Sequence, residues 1–332
     1  MTLRADTYSP KGFGVLVGFE STIGTKKVDA LVSMDVDSVG FPSLNPVHVY
    51  DVRSGAGETA KLVDAYKTNK GTIKEISISG NAYHTSVANL LANITGDTAS
   101  EFQVAYNHTG ADMKIGTTSV SDFSKTMTVV IESPATDQDL IFAGCVCTSL
   151  SFSGDMGTEG GRIKYSATFK TRSVPELSAA SLNAATLYSA GTQRDMTSWT
   201  ITTLGDIEDT IMSNFTLNLE HDATFHGFDT SGNPEVIARS SEFSCTLDAQ
   251  IVYNVDSEAM IAKYESGAAF TTSGAINCSN HATIGSVSHF GFHIDTACLT
   301  SCAFSEGDVM MLDTSWKGLA LATGHLVEIT CE

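Results

Sequence analysis

The chain has little proline, little tryptophan, few positive charges in its second half and no long apolar run. Six prolines in 332 residues, with no biased repeat, argue against a disordered or low-complexity chain. No stretch approaches the roughly 20 apolar residues of a bilayer-crossing helix. Residues 13–19 are apolar but short, glycine-broken and without a small-residue cleavage pattern, so neither anchor nor signal peptide is expected. Seven cysteines, an odd number in no regular framework, read as reduced thiols of a cytosolic setting. Cys145-Val146-Cys147 lacks the Cys-x-x-Cys spacing of zinc or thioredoxin-type sites and reads as small residues lining a sheet. There is no Gly-x-Ser-x-Gly, phosphate loop, His-Glu-x-x-His or dinucleotide fingerprint, so no enzyme, metal or cofactor is expected. His289 and His293 would share a strand face but stand about 13 Å apart, too far to chelate one ion.

Charge is unevenly spread. Residues 1–172 hold 15 basic and 18 acidic side chains, while the rest hold only Arg194, Arg239, Lys263 and Lys317 against 20 acids. A surface this acidic repels nucleic acid and anionic membranes. Solubility alone would also account for it.

What the chain has in abundance is strand alternation. Through 142–152 Phe142, Val146, Leu150 and Phe152 fall on one face and Cys145, Cys147, Ser149 and Ser151 on the other. A glycine-rich turn follows, then Ile163, Tyr165, Ala167 and Phe169 alternate with polar residues, completing a hairpin. Residues 297–320 repeat this grammar: Cys298, Thr300, Cys302 and Phe304 run up to a Ser-Glu-Gly-Asp turn, and Met310, Leu312, Thr314 and Trp316 run away from it.

Each half reads as five parts in one order. A strand (31–37; 211–219) precedes a polar excursion (40–70; 220–240), then comes a second strand (72–79; 243–253). A short helix follows. In the first half Thr85 caps Val87, Leu90, Leu91 and Ile94 before Gly96, and in the second Asp256 or Ser257 caps Met260, Ile261 and Tyr264 before Gly267. The hairpin closes each half. The expected division is an N-terminal arm (1–29), a first domain (30–172), a Ser/Ala/Thr-rich linker or arm (173–204) and a second domain (205–332).

This arrangement resembles the tail tube proteins of long-tailed bacteriophages, in the large form with two tandem domains. Glu20, Ser21, Gly24 and Thr25 look like the family's Glu-Ser/Thr-x-x-Gly-Thr opening, Phe142, Gly144 and Cys145 like its Phe-x-Gly-Cys hairpin, and 214–267 like its strand, Gly-x-Asp loop, strand and helix. The resemblance implies an all-β chain of two tandem tube-type β-sandwich or half-barrel domains, each with one flanking helix. It implies a virion protein, assembled in the host cytoplasm, whose domains close in sixes into stacked rings. A two-domain chain would make a pseudo-hexameric ring from three copies. Its partners would be itself, the tape measure, terminator and baseplate or tip proteins, and DNA passing through the lumen without specific binding, with no membrane involved.

By the same resemblance the excursions reach the next ring, with Asp51, Arg53, Lys61, Asp64, Lys67, Asp222, His226, Asp229 and Glu235 as contact candidates. Acids of the second half are expected on the lumen, and Lys67, Lys70 and Lys74 are expected to pair with acidic neighbours around the ring. The competing reading is a β-sandwich binding module or virion adhesin. That would need an exposed aromatic platform, whereas Trp316 falls in phase with Leu312 and only Trp199 remains.

Overall fold

A computed structural model describes residues 9–44, 47–50, 65–68, 72–95, 113–116, 126–134, 138–178, 182, 184–186, 194–205, 211–230, 232–267, 276–279, 290–320 and 325–331. The strands of the first half are β1 (Gly14–Phe19), β2 (Leu31–Met34), β3 (Ser38–Gly40), β4 (Val47–Tyr50), β5 (Ala65–Thr68), β6 (Lys74–Asn81), β7 (Met113–Gly116), β8 (Met127–Glu132), β9 (Leu140–Asp155) and β10 (Lys164–Thr171). Then come β11 (Glu176–Leu177), β12 (Ala184–Thr186) and β13 (Thr200–Leu204). The second half adds β14 (Met212–Glu220), β15 (Ala223–His226), β16 (Val236–Arg239), β17 (Ser244–Val252), β18 (Ile276–Ser279), β19 (Phe290–Ile294), β20 (Ala297–Ser305), β21 (Met311–Gly318) and β22 (His325–Cys331). Two helices, α1 (His84–Thr95) and α2 (Val255–Ser266), complete an all-β protein.

One sheet runs β3-β6-β10-β9-β14-β17-β21-β20 with every neighbour antiparallel. Its first four strands are the strand before the excursion, the strand after it, and the return and outgoing arms of the hairpin. The next four are the same parts of the second half in the same order. The seam between the sets is β9 against β14, where Ser149–Asp155 face Glu220–Asn214. Alternation builds this sheet: Ile76, Ile78, Leu150, Phe152, Phe215, Leu217, Leu247 and Trp316 all point to one side and are buried.

Two further layers cover that side. β12, β2, β1 and β8 pair in line with the opening residues of β9, and β13, β18, β19, β22 and β7 form a five-stranded sheet. Phe290 lies 5.4 Å from Phe152, Phe292 lies 5.3 Å from Phe215, and Trp199 stacks on Phe215 at 5.0 Å. Each such aromatic contributes about 2–3 kcal/mol by burial. Trp316 is buried as expected, its indole N–H donating to the Thr314 hydroxyl at 3.0 Å.

Several local readings are corrected. The register of β9 on β10 slips between Thr168 and Phe169, so Thr148 is an extra residue, a β-bulge. The slip puts Cys147 on the side of Leu150 and Phe152, and Cys145 joins them in the core. Val146 faces the other way, against Ala223, Phe225 and Ile237. β20 has the same bulge at Thr300, so Leu299 and not Thr300 continues the buried phase. Each bulge threonine donates its hydroxyl across the hairpin, Thr148 to the Thr168 carbonyl at 3.4 Å and Thr300 to the Ser315 carbonyl at 2.9 Å.

Helix α1 begins at His84, one residue before the expected Thr85 cap. Helix α2 is capped by Asn254 and not by Asp256 or Ser257: the Asn254 carboxamide accepts from Ser257 N, and the Ser257 hydroxyl accepts from Asn254 N. Tyr264, expected on the apolar face of α2, is 40% exposed. The strand expected over 31–37 ends at Met34 as β2, and the strand that leads into the first excursion is a separate one, β3, beginning at Ser38. The stretch expected as a linker supplies β11, β12 and β13, which pair with β9, β2 and β18. The stretch expected as an arm carries β1, paired on both sides.

Candidate functional site: one sheet face, two edges and one crowded end

The face of the eight-strand sheet opposite the core is made largely of hydroxyls and amides, and the β15–β16 hairpin covers it at Val146. Ser77, Ser151, Ser153, Thr216, Asn218 and Thr246 are among the residues that occupy it, because every second position of these strands is polar. The charges on the face are Glu75, Asp155, Glu220, Asp248 and Asp313 against Lys164, Lys170 and Lys317. All three lysines are engaged within the chain. Lys164 meets Glu159 at 3.0 Å, Lys170 meets Asp222 at 3.0 Å and Glu75 at 3.6 Å, and Lys317 meets Glu242 at 3.6 Å. The Asp222 carboxyl is held below its usual range chiefly by the hydrogen bond from Lys170. The second half contributes the acidic imbalance, with Glu220, Asp248 and Asp313 against Lys317. It is a small part of the chain's net charge of −19.

Among the described residues, the sheet ends in two strands paired on one side only, β3 and β20. Such edges present free N–H and C=O groups to a further strand. Both carry exposed phenylalanine: Phe41, just past β3, is 46% exposed and Phe304 on β20 is 56% exposed. Phe41 packs edge-on against Phe13 at 5.0 Å, and Phe304 against Tyr253 at 5.3 Å.

A family model described as phage tail tube protein matches residues 14–318. The chain belongs to the phage tail tube protein family. No curated protein matches it. It is therefore a structural protein of the virion tail. Among the described residues of this tail tube protein no helix is long and apolar enough to cross a membrane, and no three His, Cys, Asp or Glu side chains gather as metal ligands would.

The opening motif of the tube protein has a structural task. Glu20 is buried, and its carboxylate accepts from Gly24 N, Gly144 N and the Thr128 hydroxyl, each at 2.8 Å, and from the Thr126 hydroxyl at 2.5 Å. One side chain thus ties the turn after β1 to β8 and to the bend of β9. Gly24 and Gly144 have φ of +73° and +64°, conformations that favour glycine. Burial pushes the Glu20 carboxyl above its usual range, against the opposing pull of the four donors.

Both excursions leave the sheet at one end, since β6 and β17 run the same way and each follows an excursion. There a groove of about 700 Å³ lies between them, lined by Phe41, Ile73, Lys170, Asp222, Phe225 and His226 among others. Of the contact candidates, Asp222 and His226 are brought together here. Asp229 and Glu235 lie beyond, where Asp229 accepts from Asn233 N and Glu235 N bonds to the His226 carbonyl. Lys67 sits on β5, its backbone paired with His48. Asp51, Arg53, Lys61, Asp64, Lys70 and His289 lie outside the described residues.

Lys74, expected to offer its charge to a neighbour, is 3% exposed, because it falls in phase with Ile76 and Ile78. Its ammonium donates to the Thr72 carbonyl and hydroxyl. Burial lowers its pKa. Phe41 was hidden in the sequence, absorbed into a stretch read as polar excursion. The only signal was an aromatic directly after Gly40, two places beyond Val39.

Proposed function

We propose that three copies of this chain close into a pseudo-hexameric ring, that rings stack into a tube, and that genomic DNA passes through the lumen during ejection. The observation that carries the reading is the recurrence of one four-strand order twice across a single sheet that ends, among the described residues, in β3 and β20, each paired on one side only. A sheet of this kind adds a like unit at either edge, and closure removes both edges. Heterologous contacts of this kind make rings when the rotation closes. The hydroxyl-rich face would line the lumen, and its paired lysines leave phosphates no strong grip. The excursions, gathered at one end, would meet the next ring, with the tape measure, terminator and baseplate or tip proteins as the tube's other partners. Assembly would take place in the host cytoplasm.

Negative-stain electron microscopy of the purified protein over a range of concentration and salt tests this. Hollow tubes or stacked rings with three-fold or apparent six-fold symmetry are expected. Particles of one chain's mass at every concentration would overturn the reading.

A further inference from the structure

The seam inside the chain specifies, residue for residue, a seam between chains. The correspondence between the two four-strand sets follows from pairing alone. Ile78 on β6 and Ala249 on β17 each stand six residues before the first residue of the following helix, His84 and Val255. Opposite them lie Val39 and Phe215 on one side, Ala167 and Thr314 on the other. Two residues along, Phe41 therefore occupies the place of Leu217. On the hairpins, Tyr165 pairs with Phe152 and Leu312 with Phe304, so Phe304 occupies the place of Phe152. The bulges at Thr148 and Thr300 keep the two hairpins in the same phase beyond this point.

Inside the chain Leu217 faces Phe152 directly, and both are fully buried. Their counterparts Phe41 and Phe304 are the exposed phenylalanines at the two free edges, and both lie on the core side of the sheet, beside Phe13 and Tyr253. We infer that Phe304 of one copy packs on Phe41 of the next, β20 running antiparallel to β3 in the register that Phe152 and Leu217 already adopt within the chain. The partner is a second copy of this chain. The inference rests on the proposed ring and adds to it a register and an apolar centre.

The same template places Ser305 opposite Gly40, as Ser153 stands opposite Thr216, and Ala303 opposite Pro42, as Ser151 stands opposite Asn218. Pro42 donates no hydrogen bond, so backbone pairing weakens just beyond the Phe41–Phe304 contact, as it must where the first excursion departs.

Directly opposed positions of antiparallel strands stand close enough for a disulfide. In a Cys298→Ser/Cys302→Ser background, which removes the partly exposed thiols of β20, Phe41→Cys and Phe304→Cys are combined and the assembled protein is oxidised. Covalent species up to a closed trimer are expected on a non-reducing gel, while either single variant gives none. Ser43→Cys with Phe304→Cys, two residues out of register, is expected to give at least tenfold less. Cross-linking by the offset pair instead would overturn the register. Tubes visible by microscopy with neither pair cross-linking would overturn the contact and leave the tube reading standing. Absence of any assembly by the Cys298→Ser/Cys302→Ser chain would remove both. Should the cysteine pair itself prevent assembly, opposite charges replace it: Phe304→Asp and Phe41→Lys are each expected to block assembly alone and to restore it when combined in one chain, where every seam of the ring then pairs Asp with Lys, and failure to restore would overturn the contact.

Discussion

The hairpin β9–β10 and the hairpin β20–β21 have the same arms, the same bulge and the same threonine hydrogen bond across it, yet one is buried and the other open. Leu150 and Phe152 are fully buried where β14 covers the edge of β9. Phe304, at the position matching Phe152, is 56% exposed because nothing described lies beyond β20. What makes a residue core here is the neighbouring strand, and the alternation that aims it inward is common to both. The helices differ in the same sense. On α1, Val87, Leu90, Leu91 and Ile94 are buried, whereas among the described apolar side chains of α2 only Met260 is fully covered.

This contrast has measurable consequences. The largest concerns the matched phenylalanines. Phe152→Ala is expected to cost about 3–5 kcal/mol in denaturant unfolding of the monomeric chain, as core truncations do. Phe304→Ala should cost under about 1 kcal/mol in the same measurement while reducing assembly. Equal losses from the two would break the comparison.

Next in size is the pH response at the end of the internal seam. His221 follows β14, its backbone N–H bonded to the Thr148 carbonyl, and burial lowers its pKa to about 4. The unfolded chain binds this proton first, so the group's stabilisation is fully present above its ordinary pKa of 6.5 and is lost as pH falls toward about 4. A shift of this size corresponds to about 3 kcal/mol. Unfolding measured between pH 7 and pH 4 should show that loss, and His221→Phe should flatten it. An unchanged slope in the variant would place the sensitivity elsewhere.

The smallest effect separates the helices. Asn93 of α1 accepts from Cys147 N at 2.5 Å and donates to the Cys145 carbonyl at 3.4 Å, pinning the helix to β9. The matching residue of α2 is Tyr264, half exposed. Asn93→Ala should cost about 1–3 kcal/mol by leaving a buried N–H unsatisfied, and Tyr264→Ala within about 0.5 kcal/mol of nothing. Thermal unfolding of both variants would sharpen the comparison, and a reversal would show that α2 carries weight its exposure hides.

Much of this was legible in the sequence, for identifiable reasons. Period-two runs such as 163–169 and 243–251 gave strands and their buried side, and helical spacing gave the buried face of α1. The bulge at Thr148 was not legible because the phase shift it causes falls among the small apolar side chains Cys145, Val146 and Cys147, any of which suits a buried face, and that one extra residue exchanged the faces of Cys147 and Val146. The Asn254 cap was missed because three polar residues compete there and only their hydrogen bonds decide. β11, β12 and β13 are two to five residues long and exist through partners far along the chain, so no local pattern announces them. Of the described contact candidates Asp222 and His226 are brought into one groove, and Phe41 went unnoticed for want of a visible partner.

The seam between β9 and β14 has one more consequence. Its two sides belong to one polypeptide, so its formation is a loop-closure problem whose cost grows only slowly with the length of the intervening chain. A joint between separate molecules depends instead, by mass action, on the concentration of the chain. In the proposed ring, dilution would part chain from chain at β20 and β3, but it has no purchase on the joint at Leu217 and Phe152.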